Sequence, residues 1–214
     1  ETVMDFTTNV YPLFAQALRK KDSTTAATHL DECSALFSEF SKIASKNPYS
    51  WFPSYRSAAE IAEESPNNRM VGFPYTKYLN SVIRVNMASA FILMSQEKAD
   101  ELNVAEHKRV YVHGCSILND IWNVTERPDF HSSPAIKTCV NQSLDQAEIS
   151  LSDIKHFDLY SCFPSAVQIA KKELGIPEEK KDLTVTGGLP YFGGPGNSYT
   201  CLLYTSDAAD ESTC

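Results

Sequence analysis

Between residues 86 and 188, short apolar runs alternate with helix-period segments, and this alternation restricts the chain to a layered α/β architecture. Met87-Ala-Ser-Ala-Phe-Ile-Leu-Met94 is a continuous apolar run of strand length, and Arg109-Val-Tyr-Val-His-Gly114 reads as a second buried strand. Phe157-Asp-Leu-Tyr160 and Leu183-Thr-Val-Thr186 read as a third and a fourth. Helices fill the gaps. Ser95 caps a short one reaching Leu102. Ser133-Pro134, a hydroxyl cap followed by proline in the first turn, opens another that runs to about Gln146 and is expected to bury Ile136, Val140 and Leu144. A third starts at Pro164, aligns Val167, Ala170 and Leu174, and closes at Gly175 and Pro177. Strands separated in this way predict a mixed or parallel sheet with covering helices.

The first 80 residues have a different texture. Residues 6–20 form a short amphipathic helix with Phe6, Val10, Leu13, Phe14, Ala17 and Leu18 on one side. Residues 24–46 give the clearest helix: Ala26, Ala27, Leu30, Cys33, Phe37, Phe40, Ile43 and Ala44 recur at steps of three and four, while His29, Asp31, Glu32, Glu39 and Lys42 fall elsewhere. Asn47-Pro48 ends it, because the residue before a proline is pushed out of helical geometry. From Pro48 to Pro74 the prolines imply a loop-rich segment around a short helix near 57–64. The organisation is therefore a helical and loop segment over residues 1–80, a strand–helix segment over 81–200, and a polar tail over 201–214.

Several function classes are excluded. Nineteen basic against 27 acidic side chains leave a net charge of −8, so nucleic acid is not the expected partner; phosphate binding needs clustered Lys and Arg. No run approaches the roughly 18 apolar residues of a membrane-spanning helix. Cys33, Cys115, Cys139, Cys162, Cys201 and Cys214 include no CxxC pair and no zinc spacing. Reduced thiols in the cytoplasm or an organelle interior, mitochondrion or peroxisome included, are expected, and no metal.

Two strand ends carry the candidate chemistry, since ligands of α/β sheets lie beyond the carboxyl ends of strands. At the first, Tyr160, Ser161 and Cys162 leave a strand and meet a helix start, whose free N–H groups favour oxyanionic groups. Cys162 is there either a thiol shifted towards thiolate or a small buried hydrophobe. At the second, five of the chain's eight glycines lie between Gly187 and Gly196. Gly187, Gly188, Gly193, Gly194 and Asn197 form either an exposed backbone cradle for a substrate or a turn-rich loop without ligand. The spacing fits neither GxGxxG nor a P-loop.

These two motifs, in this order, resemble the C-terminal half of the thiolase superfamily. Tyr160-Ser-Cys-Phe163 stands where thiolases carry Asn-Glu-Ala-Phe, or His-Asp-Cys-Phe in the sterol-carrier-type members. Gly187-Gly188 through Gly193-Gly194-Pro195 stands where they carry Gly-Gly, a spacer and Gly-His-Pro. Asn86 to Ser95, Asn68-Arg-Met-Val-Gly-Phe-Pro-Tyr-Thr-Lys77 and Glu126-Arg-Pro-Asp-Phe-His-Ser-Ser-Pro134 resemble the thiolase-like proteins often labelled acetyl-CoA acetyltransferase.

The resemblance implies a thiolase-like layered fold and an acyl-CoA substrate, with no further cofactor. It also implies an acyltransferase of lipid metabolism, working by thioester exchange or Claisen-type chemistry, or a CoA-ester binding or regulatory protein that has lost catalysis. A thiolase's nucleophilic cysteine belongs to an N-terminal half, so the sequence is expected to be an inactive internal fragment whose partners are that half, acyl-CoA and, in some arrangements, a second copy.

Tyr160 is the expected catalytic group, and the glycines with Asn197 the expected substrate contacts. The Gly-His-Pro histidine is replaced by Gly194, and Cys162 matches a cysteine that is no nucleophile in the family. Tyr75 and Lys77 are further candidates for touching acyl-CoA. Trp51, Phe52 and Tyr55 are expected to cover the site mouth or a subunit contact, and His113 and His131 to be hydrogen-bonded structural groups. Finally, Cys201-Leu-Leu-Tyr-Thr-Ser-Asp-Ala-Ala-Asp-Glu211 matches one reading frame of a common transposase sequencing adapter, so residues 201–214 are expected to be read-through.

Overall fold

Helical periodicity becomes six α-helices in the computed structural model, which describes residues 6–203: α1 (Thr7–Lys21), α2 (Ala26–Ala44), α3 (Ala58–Ala62), α4 (Gln96–Glu101), α5 (Pro134–Ala147) and α6 (Pro164–Glu173). Each lies within a few residues of its sequence expectation. The centre of the fold is α2. Thr25 caps it by accepting the Thr28 amide at 3.1 Å. Its stripe of Cys33, Phe37, Phe40 and Ala44 is wholly buried, against Ile61, Tyr75, Leu79, Leu189, Tyr191 and Phe192 among others. At roughly 25 cal/mol per Å² of apolar surface, fully burying one such large side chain contributes about 1.5–3 kcal/mol.

Polar side chains on α2 fix what packs on it. The Ser38 hydroxyl donates to the Arg56 carbonyl at 2.8 Å, and the Ser41 oxygen accepts the Arg56 amide at 3.0 Å. The chain entering α3 is thereby fastened to the helix, and Ser57 caps α3 through the Glu60 amide. Beyond α3, Asn68 is fully buried. Its Nδ2 donates to the carbonyls of Ile61 at 2.9 Å and Glu63 at 2.8 Å, closing the helix end, and its Oδ1 accepts the Tyr78 amide at 2.9 Å.

One α2 residue departs from expectation. His29, assigned by periodicity to the polar side, is 2 % exposed, its Nε2 3.6 Å from Cys33 Sγ one turn on. Burial pushes the imidazole pKa down, so the ring is neutral in the fold.

Helix α1 lies along α6, where Tyr11 stacks on Phe163 with centroids 4.5 Å apart, and Val10, Phe14, Leu18 and Ile169 form a second small cluster. Helix α5 leans on α6 along one side only, so Ile136, Val140 and Leu144 are half-buried rather than enclosed as expected.

The strands differ most. The sheet among the described residues is an antiparallel pair, β1 (Met70–Gly72) and β2 (Tyr75–Thr76), with Met70 opposite Thr76. The four runs expected as strands carry no ladder; between the third and fourth, the Leu159 amide donates to the Leu183 carbonyl at 2.9 Å. Composition marks a strand-length run, but a ladder needs a partner backbone, which composition does not supply. The first two runs are also not buried: Ile92 is 82 % exposed, Leu93 81 % and Val112 69 %, because no described residue covers them.

Residues 199–203 are helical, with Tyr199 and Leu202 in the core. The rest of the expected read-through tail lies outside the described residues, as do residues 1–5. The five cysteines among the described residues are free thiols, and no described helix is long and apolar enough to cross a membrane.

Two outcomes follow. Asn68→Ala strands the carbonyls at the end of α3 and the Tyr78 amide, and lowers stability by about 2–3 kcal/mol in urea unfolding. A triple Ile92→Lys, Leu93→Lys, Val112→Lys variant binds less 1-anilinonaphthalene-8-sulfonate and self-associates less in sedimentation, with an unchanged unfolding midpoint.

Candidate functional site

The two strand-end motifs meet. Ser161 is fully buried, and its hydroxyl oxygen accepts the Leu189 amide at 3.1 Å. The meeting depends on the glycines. Gly187 has φ +107°, and a Cβ there would sit 2.4 Å from the Ala44 Cβ and 2.6 Å from its backbone nitrogen. At Gly188, with φ +78°, a Cβ would lie 2.6 Å from Ser161 Oγ and 2.7 Å from the Phe40 ring. No L side chain fits either the conformation or the space. The exposed cradle expected at this turn is therefore corrected: Gly187 and Gly188 are buried and pressed onto α2.

Gly193 and Gly194, also expected to face a substrate, are buried too, and the loop reaches a neighbouring groove through Phe192. Gly193 lies against the Met87 thioether and Trp51, while Gly194 packs on the Leu189 side chain and donates its amide to the Val82 carbonyl at 2.9 Å. Trp51 and Phe52 donate backbone amides to the Phe192 and Tyr191 carbonyls, both at 3.0 Å, fixing the 49–52 loop across the glycine turn. Between them lies a groove of about 450 Å³ lined by Tyr49, Trp51, Met87, Ser89, Phe192 and Leu202, among others. The Ser89 hydroxyl is buried there without a hydrogen-bond partner. Asn197 is exposed on the Gly196–Ser198 turn and does not line the groove.

Tyr160 is half exposed, and its ring stands edge-on to Tyr199 at 6.1 Å; Tyr199 in turn stands edge-on to Phe192 at 6.2 Å. Tyr160 thus connects to the groove through two ring contacts rather than lining it. Partial burial, with the nearby Cys162 adding to it, raises the phenol pKa, which keeps the hydroxyl a donor at neutral pH. Cys162 is 6 % exposed; burial pushes its thiol up to about 11, against the lowering effect of a hydrogen bond with Tyr11. Of the two readings of this cysteine, the structure supports the buried hydrophobe: a thiol in that environment carries almost no thiolate at neutral pH.

Sequence reasoning missed Asp158. Although it sits in an apolar run two residues before Tyr160, its carboxylate is largely buried. One oxygen accepts the Val185 amide at 3.0 Å and the Thr184 hydroxyl at 2.9 Å; the other accepts the Tyr199 hydroxyl at 3.0 Å. Burial raises its pKa, and the four donors around it, Thr186 included, oppose that rise. The polar pair Thr184 and Thr186, alternating in the fourth run, was the available signal.

Other candidates fall elsewhere. Tyr75 is fully buried, its hydroxyl accepting the Ser165 amide at 3.3 Å, so it holds α6 in place and reaches no ligand; Lys77 is exposed. His131 sits 3.3 Å from the Asp129 carboxylate, and His113 is solvent-exposed rather than structural. Trp51, Phe52 and Tyr55 stay between 38 % and 56 % exposed. Among the described residues, no group of three or more His, Cys, Asp or Glu side chains is arranged to hold a metal ion.

No protein-family model and no curated protein matches this sequence. Among solved structures, the chain is similar to a monomeric SCP2-thiolase-like protein type 1 from Mycobacterium smegmatis, with 35 % identity and a TM-score of 0.87. The match covers 97 % of this chain and 46 % of that one, so the chain spans about half the length of its structural relative. With the two strand-end motifs joined through Ser161 and Leu189, the chain has an α/β fold of the SCP2-thiolase-like kind.

Proposed function

We propose that this chain forms part of the acyl-coenzyme A site of a thiolase-like protein. The observation that carries the reading is the groove of about 450 Å³ between Trp51, Met87 and Phe192, a volume within the usual range for small-molecule sites. Met87, Phe192, Leu202 and the face of Trp51 suit an acyl chain. The Tyr160 phenol, two ring contacts from the groove, is the candidate donor to a thioester carbonyl.

Acyl transfer, by thioester exchange or carbon–carbon bond formation, needs a nucleophile that the described residues do not present at the groove. Cys162 is buried as a neutral thiol, and no Cys, His, Asp or Glu lines the groove. In this reading such chemistry belongs to the whole protein, with the chain's own residues binding the acyl group and steadying charge on its carbonyl.

A second reading, a CoA-ester binding or regulatory protein without turnover, is favoured by Gly194. It puts no side-chain donor where thiolases carry histidine, and its amide is already engaged by Val82. Loss of one such donor from an acyl-transfer site costs roughly 10²–10³ in turnover.

Titration calorimetry on the full chain tests the site. Acetyl-, butyryl- and hexanoyl-CoA bind progressively tighter, by about fourfold per buried methylene until the groove is filled. Ala88→Trp, which fills the groove from an exposed position, weakens hexanoyl-CoA by about tenfold or more while leaving free coenzyme A unaffected. Affinities independent of chain length overturn the reading. Tyr160→Phe removes one carbonyl hydrogen bond and costs about fivefold, close to 1 kcal/mol, with an unchanged melting temperature. Release of free coenzyme A by the complete protein then separates transfer from binding alone.

A further inference from the structure

We infer that Asp158 is the positioning residue of the candidate site, a single, partly buried carboxylate that holds both strand-end corners and the tyrosine between them. This rests on the acyl-CoA reading only for what the positioned groups would hold; the positioning itself is read from geometry.

Three connections converge on the carboxylate. The first is covalent: Asp158 lies two residues before Tyr160 on the same run. The second leads to the glycine turn. Thr184 donates to the carboxylate at 2.9 Å and the Thr186 oxygen lies 3.5 Å from it, and the two hydroxyl oxygens accept the amides of Gly187 at 3.1 Å and Gly188 at 3.2 Å. Thr184 is thus a two-sided link, donating inwards to Asp158 and accepting from the turn pressed on α2; Thr186 gives its one proton to the Tyr199 oxygen at 2.6 Å and reaches the carboxylate through that phenol. The third leads to Tyr199, whose hydroxyl donates to the other carboxylate oxygen at 3.0 Å and lies 2.6 Å from the Thr186 oxygen. The Tyr199 ring then stands between Tyr160 and the groove-lining Phe192.

No cation neutralises the group. Among the described residues, Asp158 forms no ion pair with lysine, arginine or histidine. Lys180, over the ring of the neighbouring Phe157, pairs with Asp182 instead. The titratable groups facing it are the Tyr199 phenol, in direct contact, and Tyr160 beyond that ring. From the 183–186 run it meets neutral groups, the Val185 and Thr186 amides and the two threonine hydroxyls.

A carboxylate held only by neutral donors is an acceptor for all of them when ionised. Protonation converts one oxygen into a donor, which competes with Tyr199 or with the threonines for the remaining lone pairs. One proton therefore acts on both corners at once. Because burial holds the carboxyl pKa above the ordinary aspartate value, the ionised arrangement is complete above that raised pKa. It is lost as pH falls through it.

The test is NMR titration of the full chain, carrying ¹⁵N-glycine and ring-¹³C-tyrosine, from about pH 8 down to about pH 4. The Gly187 and Gly188 amides and the Tyr160 and Tyr199 rings are expected to share one midpoint, above that of exposed aspartates. Asp158→Asn abolishes that common transition. Tyr199→Phe, which keeps the ring and deletes the hydroxyl, removes the Tyr160 response and preserves that of the glycines. Separate midpoints for the glycines and Tyr160 in the wild-type chain, or a transition that survives in Asp158→Asn, overturn the inference. The wild-type titration decides the matter even where Asp158→Asn does not fold. The readout needs no thioester, so failure of acyl-CoA binding and failure of the coupling are separate results.

Discussion

The close approach of the Gly187–Gly188 turn to α2 is the contact on which the rest of the arrangement depends. With a Cβ at either position, the turn would have to back away from Ala44 and Phe40 by more than side-chain adjustment allows, because the obstacle at Gly187 is helix backbone. Held against the helix, the turn delivers the Leu189 amide to Ser161 and the Tyr191 and Phe192 carbonyls to the 51–52 loop. Those bonds bring the two motifs into one place and leave the groove beside them. The glycines therefore act here through packing. Their work is to let a loop lie on a helix.

Around that contact the fold uses buried polar groups where an apolar interface would leave register undefined. Ser38 and Ser41 on α2 bond the Arg56 peptide, Asn68 closes α3 and holds Tyr78, and Asp158 gathers the fourth run and Tyr199. Each such group is costly if left unpaired, by about 1–3 kcal/mol, whereas its net contribution when paired is nearer 1 kcal/mol. That asymmetry penalises misregistered alternatives more than it stabilises the native arrangement. The same logic explains why Asn68, a loop residue in a segment dense with prolines, is fully buried.

Local pattern made the helices legible. α2 announces itself through Cys33, Phe37, Phe40 and Ala44, α5 through Ser133-Pro134, and α6 through Pro164 and the closing Gly175. What the pattern could not show was relative placement. His29 looks polar by periodicity, yet α2 is so central that a second side of it is covered as well. Arg109 to Gly114 has strand composition, but its burial depends on a neighbour that is non-local. The site was legible in its two motifs and in the likeness they carry. Which of its residues face a ligand was not: Gly187 and Gly188 are consumed by packing, Tyr75 by the core and Cys162 by burial. Met87 and Phe192 reach the groove from stretches that read as strand and spacer. Asp158 was hidden because a lone carboxylate in an apolar run gives no hint of partners that lie some 26 to 41 positions later.

Under the proposed acyl-CoA reading, the balance between binding and turnover turns on the donors that would meet a thioester carbonyl. A thiolase-like site that lacks the Gly-His-Pro histidine has lost one donor, and Gly194 cannot replace it through its backbone, since that amide is bonded to Val82. Tyr160 is the one group at this corner whose proton is both retained at neutral pH and reachable from solvent. A neutral phenol donates one hydrogen bond, worth on the order of 1 kcal/mol in a ground-state complex. Oriented towards developing negative charge in a water-poor site, such a donor is worth roughly 3–4 kcal/mol. The difference between these values depends on orientation, and orientation here passes through Tyr199, whose hydroxyl is held by Asp158 and Thr186. A thioester bound against a mobile phenol is merely recognised, whereas one bound against a fixed phenol can be polarised. Under the proposed acyl-CoA reading, turnover by the complete protein would therefore depend as much on the Asp158 carboxylate behind the site as on the glycine at its front.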